Sequence, residues 1–502
     1  MIDRTVFPFT SKKRVFRLEL WQVFVIGISA GISVIFAPFY TLPAIIFLIA
    51  LAAIFINPFI GIMLYVISFP LPQGTYVAQA FLGISAISFI FCFFSKKGNI
   101  GFSSQLIWII LGMYFLGLLP IFFIDGVLER YIEFPRDPLV FVGYSITSLV
   151  LIGILDSKQK ISIIAILLAI IAIVIGFVCF IQVFFPSIQI RVGPATTMEY
   201  FNIIGTDPST MYHSKTTETA RRAVSFFADG PYTAFVLQTI SFICFSMLWL
   251  PITTKQKIFW SFASLCCIFG IIASLSRTAW LTYFVLFLYY FLFKKKIKLK
   301  YFLLTVVIVG VVFLSMYDYI MLRFEQSIHT YKYHSVTEIP DVKTGIAEIK
   351  RIIKNPFIGT GLGVFNEFEG INNYLTEQGV VLYRDAFNPE KSLRGFIDFG
   401  DFTTLGAQLG IGGIILYFML IIFVWKNLTQ IEQKHKDNPF FFNLAVGLKG
   451  SFLGILLFAI ISNATNNKYF WFIVSMSIAL NFIAQKEDHN EEGKDKNPDF
   501  VT

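Results

Sequence analysis

Charge is scarce in this chain. Of its 502 residues only 14% are Asp, Glu, Lys or Arg, while 56% are hydrophobic and the mean hydropathy is +0.72. No soluble domain has a core large enough to hide that much apolar surface, and apolar runs of roughly twenty residues recur along the chain as membrane spans do. Histidine and cysteine are also few, at 5 each. The histidines are His213, His329, His334, His435 and His489; none forms an HExxH or a pair at helical spacing, and no carboxylate cluster accompanies them, so neither a metal site nor a cofactor is expected. Cys92, Cys179, Cys244, Cys266 and Cys267 all fall inside apolar runs and read as small packing residues. The stretch Met1 to Leu18 is basic, is interrupted by Pro8 and lacks a small-residue cleavage site, which is the pattern of a cytoplasmic tail. The net charge of +9 does not point to nucleic acid, because the basic residues cluster in short connections between apolar runs.

The expectation is an all-α polytopic membrane protein of about 12–14 transmembrane helices, with a large external loop holding short amphipathic helices. Candidate spans are Leu20–Pro38, Pro43–Ile56, Pro58–Pro70, Val77–Phe94, Leu106–Ile124, Leu139–Leu155, Ile161–Phe185, Phe226–Leu250, Ile258–Ala273, Thr278–Phe293, Tyr301–Leu322, Thr403–Trp425, Phe442–Ser462 and Tyr469–Ile483. Charge settles whether the second and third are separate. With Lys12, Lys13, Arg14 and Arg17 in the cytoplasm and a turn at Asn57-Pro58, the clusters at Lys96-Lys97, Lys158 and Lys160, Lys255 and Lys257, Lys294 to Lys300, and Lys426 and Lys434 all fall inside. Merging the two spans would break that bias. The layout is a basic cytoplasmic tail over 1–19, one transmembrane domain over 20–485 with external loops at 186–225 and 323–402, and a charged, disordered cytoplasmic tail over 486–502.

Motifs gather around the loops expected outside. Arg221-Arg222 precedes Phe226-Phe227-Ala228-Asp229-Gly230-Pro231, and Ser274-Leu-Ser276-Arg277-Thr278-Ala-Trp280 opens the span after next. A helical hairpin between them returns Arg222 and Arg277 to one membrane face. Two strong cations at one level suit an anion, although arginines also snorkel simply to anchor helix ends. In the long loop, Asp341 to Asn355 places Ile346, Ile349, Ile352 and Ile353 on one face and Glu348, Lys350, Arg351 and Lys354 around the rest, so an amphipathic helix is expected to end at Asn355-Pro356 and to lie on the membrane or cap a cavity. The run Phe357-Ile-Gly359-Thr-Gly361-Leu-Gly363 has no strand before it and is no dinucleotide loop; it calls for positive φ or close backbone approach. Asp401 stands directly before an apolar run, where the helix dipole favours a carboxylate whether or not it does chemistry.

Together, the Arg/Phe/acidic/Pro opening, the Ser-x-Arg start of a later span, the long outer loop with its amphipathic segment, Asn355-Pro-x-x-Gly-x-Gly-x-Gly-x-Phe365, and the Leu-Gly-x-x-Gly run at Leu409 to Gly413 resemble the O-antigen ligase and O-antigen polymerase superfamily of bacterial envelope glycosyltransferases. The resemblance covers roughly Arg221 to Ala464. It implies a substrate carried on a polyprenyl diphosphate, handled at the outer face of the bacterial cytoplasmic membrane, with inversion at the anomeric carbon. The ligase branch usually carries a His-Asn pair before the Leu…Gly-x-x-Gly span, where this chain has Phe396-Ile-Asp398-Phe-Gly-Asp401 without histidine. The arginine common in the family's loop helix is replaced by Lys343 or Arg351 nearby. These departures favour a polymerase of O-antigen, capsule or exopolysaccharide repeats over a ligase.

The expected chemistry follows. Arginine is planar, always charged and bidentate toward phosphate, so Arg222 and Arg277 are assigned to the diphosphate, with Lys343 or Arg351 closing over it. Asp401 or Asp398 is assigned to take the proton of the attacking sugar hydroxyl. The expected partners are a polyprenyl-diphosphate-linked oligosaccharide and membrane lipid, with a chain-length regulator and a flippase as further candidates, and no nucleic acid. Two alternatives stay open: ligase-type transfer to another acceptor, and a non-enzymatic transporter or flippase of lipid-linked oligosaccharide.

Overall fold

The computed structural model describes residues 51–69, 83–88, 104–124, 136–185, 230–294, seven positions between 307 and 321, 340–361, 400–460 and 467–495. Among the described residues the regular structure is helical, without strands. In chain order the α-helices are α1 (Pro58–Ile67), α2 (Ser104–Leu118), α3 (Arg136–Ile154), α4 (Lys158–Phe184), α5 (Gly230–Met247), α6 (Thr254–Ala273), α7 (Arg277–Lys294), α8 (Pro340–Lys354), α9 (Asp401–Lys434), α10 (Pro439–Ala459) and α11 (Lys468–Asp495). Among the described residues, five stretches are long and apolar enough to cross a membrane: Ser104–Phe122, Lys158–Phe184, Thr254–Ala273, Asp401–Lys434 and Pro439–Ala459. Shorter apolar helices lie at Pro58–Ile67, Phe141–Ile154 and Tyr232–Met247. The chain is an all-α polytopic membrane protein.

The break expected at Asn57-Pro58 is present. Asn57 leaves helical geometry (φ −143°, ψ 101°), its side chain accepts the Phe59 N–H at 3.1 Å, and Pro58 fills the first helical position, where a missing N–H costs nothing. The expected span Leu20–Pro38 lies outside the described residues, as does most of Pro43–Ile56 and of Val77–Phe94. One expectation is corrected: α11 continues helical to Asp495, ten residues into the stretch read as a disordered tail. Its residues Lys486, Glu487, Glu491, Glu492 and Lys494 are good helix formers on the continuation of a packed helix.

Helix packing uses small side chains and short polar bridges, as expected where lipid removes most of the hydrophobic gain between helices. At Gly447 of α10 an added Cβ would meet Ser246 Oγ at 2.2 Å, so α5 and α10 touch almost backbone to backbone. Ser451 Oγ donates to Thr239 O (2.5 Å) across the same contact, and Ser475 shares a 2.8 Å hydrogen bond with Ser148 between α11 and α3.

The contacts also fix the ends of the bundle. Lys160 Nζ lies 5.8 Å over the Phe59 ring and Lys158 Nζ 5.0 Å over the Phe440 ring, joining the starts of α1, α4 and α10. His435, just past α9, lies 3.5 Å from Asp488. At the opposite end Tyr469 Oη donates to Phe69 O at 3.0 Å, and the Tyr232 and Tyr469 rings pack 6.0 Å apart. Asp401 and Arg277 open their helices at this second end, and the lysine-rich connections gather at the first.

Candidate functional site

The glycine-rich run docks into a break in a membrane-length helix. Gly410 interrupts α9 with φ 69° and ψ −168°. A break in the ladder frees backbone groups that lipid cannot satisfy, so they must find protein partners. Here the loop after α8 supplies them. Thr360 N donates to Ala407 O (3.0 Å) and Gln408 O (3.1 Å), Gly361 N donates to Gln408 O (2.9 Å), and Ile411 N donates to Pro356 O (2.7 Å). Thr360 Oγ1 adds a 3.1 Å bond to Ala407 O. Gly359 makes the approach possible: its φ is 70°, and a Cβ would meet Gln408 O at 2.3 Å. The positive φ and close approach read from the sequence are both there.

This docking lays α8 along the first turns of α9 and assembles a buried polar stripe. Asp401, Thr404 and Gln408 follow one another at i, i+3 and i+7 on one face of α9. Asp401 is fully buried and accepts a 2.7 Å hydrogen bond on Oδ2 from Tyr417 Oη. Tyr417 packs edge-on to Phe402 at 5.3 Å and against Phe470 at 6.0 Å, which fixes the donor and, through it, the carboxylate. Thr404 Oγ1 donates to Glu348 Oε1 at 2.9 Å. Glu348 is fully buried, a correction to its expected place on the polar face of the amphipathic helix. Gly345, Glu348 and Ile352 form the face turned to α9, with Ile352 Cδ1 reaching Gly406, while Ile349 and Ile353 are exposed. Gln408 is buried, and its Nε2 has no hydrogen-bond partner among the described residues.

The Ser-Leu-Ser-Arg turn has its own local logic. Ser274 ends α6 and donates to Ile271 O (2.7 Å). Leu275 takes a left-handed conformation, φ 53°, which is costly for a branched side chain and persists because Leu275 is fully buried. Ser276 then acts as N-cap of α7, accepting Ala279 N at 3.4 Å, and Trp280 Nε1 ties back to Ile271 O at 3.0 Å. This places Arg277 at the first helical position, exposed. A cation there opposes the helix dipole, whereas an anion would gain from both.

Of the residues expected at a site, Asp401 and Arg277 are described at the same end of the bundle. Arg351 is half-buried on the last turn of α8, three residues after Glu348. The backbone of Lys343 lies in α8 but its side chain is outside the described residues, as are Arg222 and Asp398. Glu348, Thr404, Gln408 and Tyr417 are additions. So is Lys468, only 4% exposed at the start of α11, which donates to Phe69 O at 3.4 Å. No protein-family model matches the chain, and no curated protein matches it.

Proposed function

We propose that the chain is a glycosyltransferase of envelope polysaccharide assembly: a polymerase that moves a growing glycan from polyprenyl diphosphate to a sugar hydroxyl of another lipid-linked repeat, at the outer face of a bacterial cytoplasmic membrane. The observation that carries the reading is the buried carboxylate of Asp401, oriented by Tyr417 at the end of a membrane bundle that also presents Arg277 at a helix N-terminus. In the reaction the acceptor oxygen bonds to the anomeric carbon, the bond from that carbon to the diphosphate oxygen breaks, and the diphosphate leaves with the electron pair. Asp401 takes the acceptor proton, or Asp398 does so; Arg222 and Arg277 meet the charge growing on the diphosphate, assisted by Lys343 or Arg351. Oriented cations act most strongly where charge develops, and a positioned base contributes on the order of 10²–10⁴-fold. The resemblance in motif order supports the same reading.

A second reading, transport of a lipid-linked oligosaccharide, draws on a specific observation: the last helices carry polar groups far from Asp401, including the Lys449–Glu432 pair at 3.1 Å and the Asn481–Asn427 bond at 3.3 Å. Between them and Asp401 the buried residues of α9 are apolar at Leu420 and Val424, so these groups do not join the Asp401 stripe along that helix.

The test is polymerisation in vitro by purified protein given lipid-linked repeat units isolated from the source cells. Asp401→Asn is expected to reduce turnover at least 100-fold, at the low end of about 10²–10⁴, while substrate binding is largely kept. Arg277→Lys should lose most activity because the planar fork is lost. A chelator should leave wild-type turnover unchanged. Polymer formation by the Asp401→Asn, Asp398→Asn double variant at the wild-type rate would remove both carboxylates from the mechanism; flipping of labelled lipid in proteoliposomes without polymer would favour the second reading.

A further inference from the structure

The end of the bundle that carries Asp401 holds a second polar cluster, which the glycosyltransferase reading leaves unused. Four helices meet there: Lys468 opens α11, Tyr232 stands in the first turn of α5, Tyr65 lies in α1 and Tyr144 in α3. Lys468 is 4% exposed, and its ammonium has one hydrogen-bond acceptor, Phe69 O at 3.4 Å. Tyr469 Oη donates to that same carbonyl at 3.0 Å. The Phe69 and Tyr469 rings, 5.3 and 5.6 Å from Nζ, cover the charge with aromatic faces. Among the described residues no carboxylate pairs with it.

The cluster has more donors than acceptors. An ammonium brings three N–H groups and each tyrosine one O–H, and Phe69 O receives only Lys468 and Tyr469. Asn467 caps α11 with Oδ1 on Tyr469 N at 3.0 Å, which leaves its amide N–H groups for the hydrogen bond it shares with Tyr232. Tyr65 is fully buried and within electrostatic reach of Tyr144, Tyr232 and Tyr469, yet its Oη has no hydrogen-bond partner among the described residues. The helix ends add to the same sign of charge. α5 and α11 both begin here, with the Tyr232 and Tyr469 rings 6.0 Å apart, so two positive helix ends adjoin a buried cation. A buried charge without a counter-ion and a buried donor without an acceptor are both costly, and one oxyanion answers both.

We infer that Lys468, Tyr65 and the starts of α5 and α11 form an oxyanion site that takes a phosphoryl group carried on a lipid. Several donors around one point suit the many oxygens of a phosphoryl group better than the pair on a carboxylate, and lysine binds phosphate as a point charge. The site is separate from Arg277. Phe452 and Gly454 of α10, two residues apart, point to nearly opposite sides of their helix. The Phe452 ring meets Phe470 of α11 at 6.3 Å, and a Cβ on Gly454 would meet Leu286 of α7 at 3.1 Å, so α10 stands between Lys468 and Arg277. Gly400, which leads into Asp401, sits against the end of α10, where a Cβ would meet Ile460 O at 2.5 Å. A polymerase must hold two lipid-linked repeats at once, donor and acceptor. Arg277 then meets one diphosphate and Lys468 the other; this assignment, though not the site itself, rests on the polymerase reading.

The test is equilibrium binding of labelled undecaprenyl diphosphate to the purified full chain in phosphatidylcholine nanodiscs. Lys468→Met should remove one equivalent of bound diphosphate. Tyr65→Phe keeps the ring and loses only the O–H, and should weaken that equivalent by about tenfold, the size of one lost hydrogen bond to a charged group. Without the diphosphate, Lys468→Met should unfold no lower than the parent chain, because it removes a buried charge that no carboxylate balances; should it fail to fold, Tyr65→Phe alone decides. Unchanged binding in the folded variants overturns the proposal. Arg277→Gln keeps the two readings apart: if it leaves binding untouched while Lys468→Met does not, the Lys468 site stands and the polymerase reading loses its clamp. Displacement of the Lys468-dependent label by phosphatidylglycerol would keep the site and give it to a bilayer headgroup in place of the second repeat.

Discussion

At the scale of single residues, the site depends on where a side chain is missing and where one is held. Gly359→Ala would force a Cβ to 2.3 Å from Gln408 O at a φ of 70°. The left-handed conformation alone costs about 1–2 kcal/mol, so this variant should lower the thermal unfolding midpoint in detergent clearly more than Thr360→Val. That control loses one hydroxyl bond, a matter of about 1 kcal/mol. Tyr417→Phe removes the donor on Asp401 Oδ2, and a buried acceptor left without that partner costs about 1–3 kcal/mol; turnover should fall as the carboxylate loses its orientation. Asp401 could be found from sequence because it abuts an apolar run at a helix start. Tyr417 could not, because it lies sixteen residues away and the two meet only through the break at Gly410. Glu348 was hidden for a different reason. Helical periodicity groups it with Lys350 and Arg351, and only the docked α9 shows that the face it shares with Gly345 is the buried one.

At the scale of elements, the sequence was most informative where a period and a stop coincide. The isoleucine spacing and the Asn355-Pro356 stop placed α8 over 341–355, and the helix runs Pro340–Lys354. The full reach of α9 was less legible. Its apolar run ends near Trp425, but the helix continues to Lys434, beyond the membrane thickness that its composition suggests. That extension carries Glu432 to Lys449, both almost fully buried and 3.1 Å apart; Thr429 accepts from the same ammonium at 2.7 Å, and the Trp425 ring lies 4.4 Å below it. Breaking a buried pair on one side leaves an uncompensated charge, so Lys449→Met should destabilise the protein by about 3–5 kcal/mol. Combining it with Glu432→Leu should restore most of the loss, since an apolar pair of similar volume is often neutral. A double variant as unstable as the single one would show that α9 and α10 need the charges themselves, and the comparison requires only thermal or denaturant unfolding.

At the scale of the whole molecule, the question is which end of the bundle faces out. The argument from charge has two parts, and each can fail separately. The first is parity: the break at Asn57 must also turn the chain back across the membrane, or every later connection changes sides. The second is the positive-inside bias, which assigns the end holding Lys158, Lys160, Lys255, Lys257 and Lys434 to the cytoplasm. The described helices put those lysines at one end and Asp401, Arg277 and α8 at the other, so a single pair of labels decides for all of them. Lys350→Cys, exposed on α8, should react with a membrane-impermeant thiol reagent added to intact spheroplasts. Lys257→Cys, exposed on the first turn of α6, should react only after the membrane is opened. The parent chain corrects for native cysteines, of which Cys266 is half-buried and Cys179, Cys244 and Cys267 are buried. The reverse pattern would turn Asp401 and Arg277 toward the cytoplasm. A lipid-linked repeat presented outside could then not reach them, and the polymerase reading would fall with the orientation even if both residues proved essential.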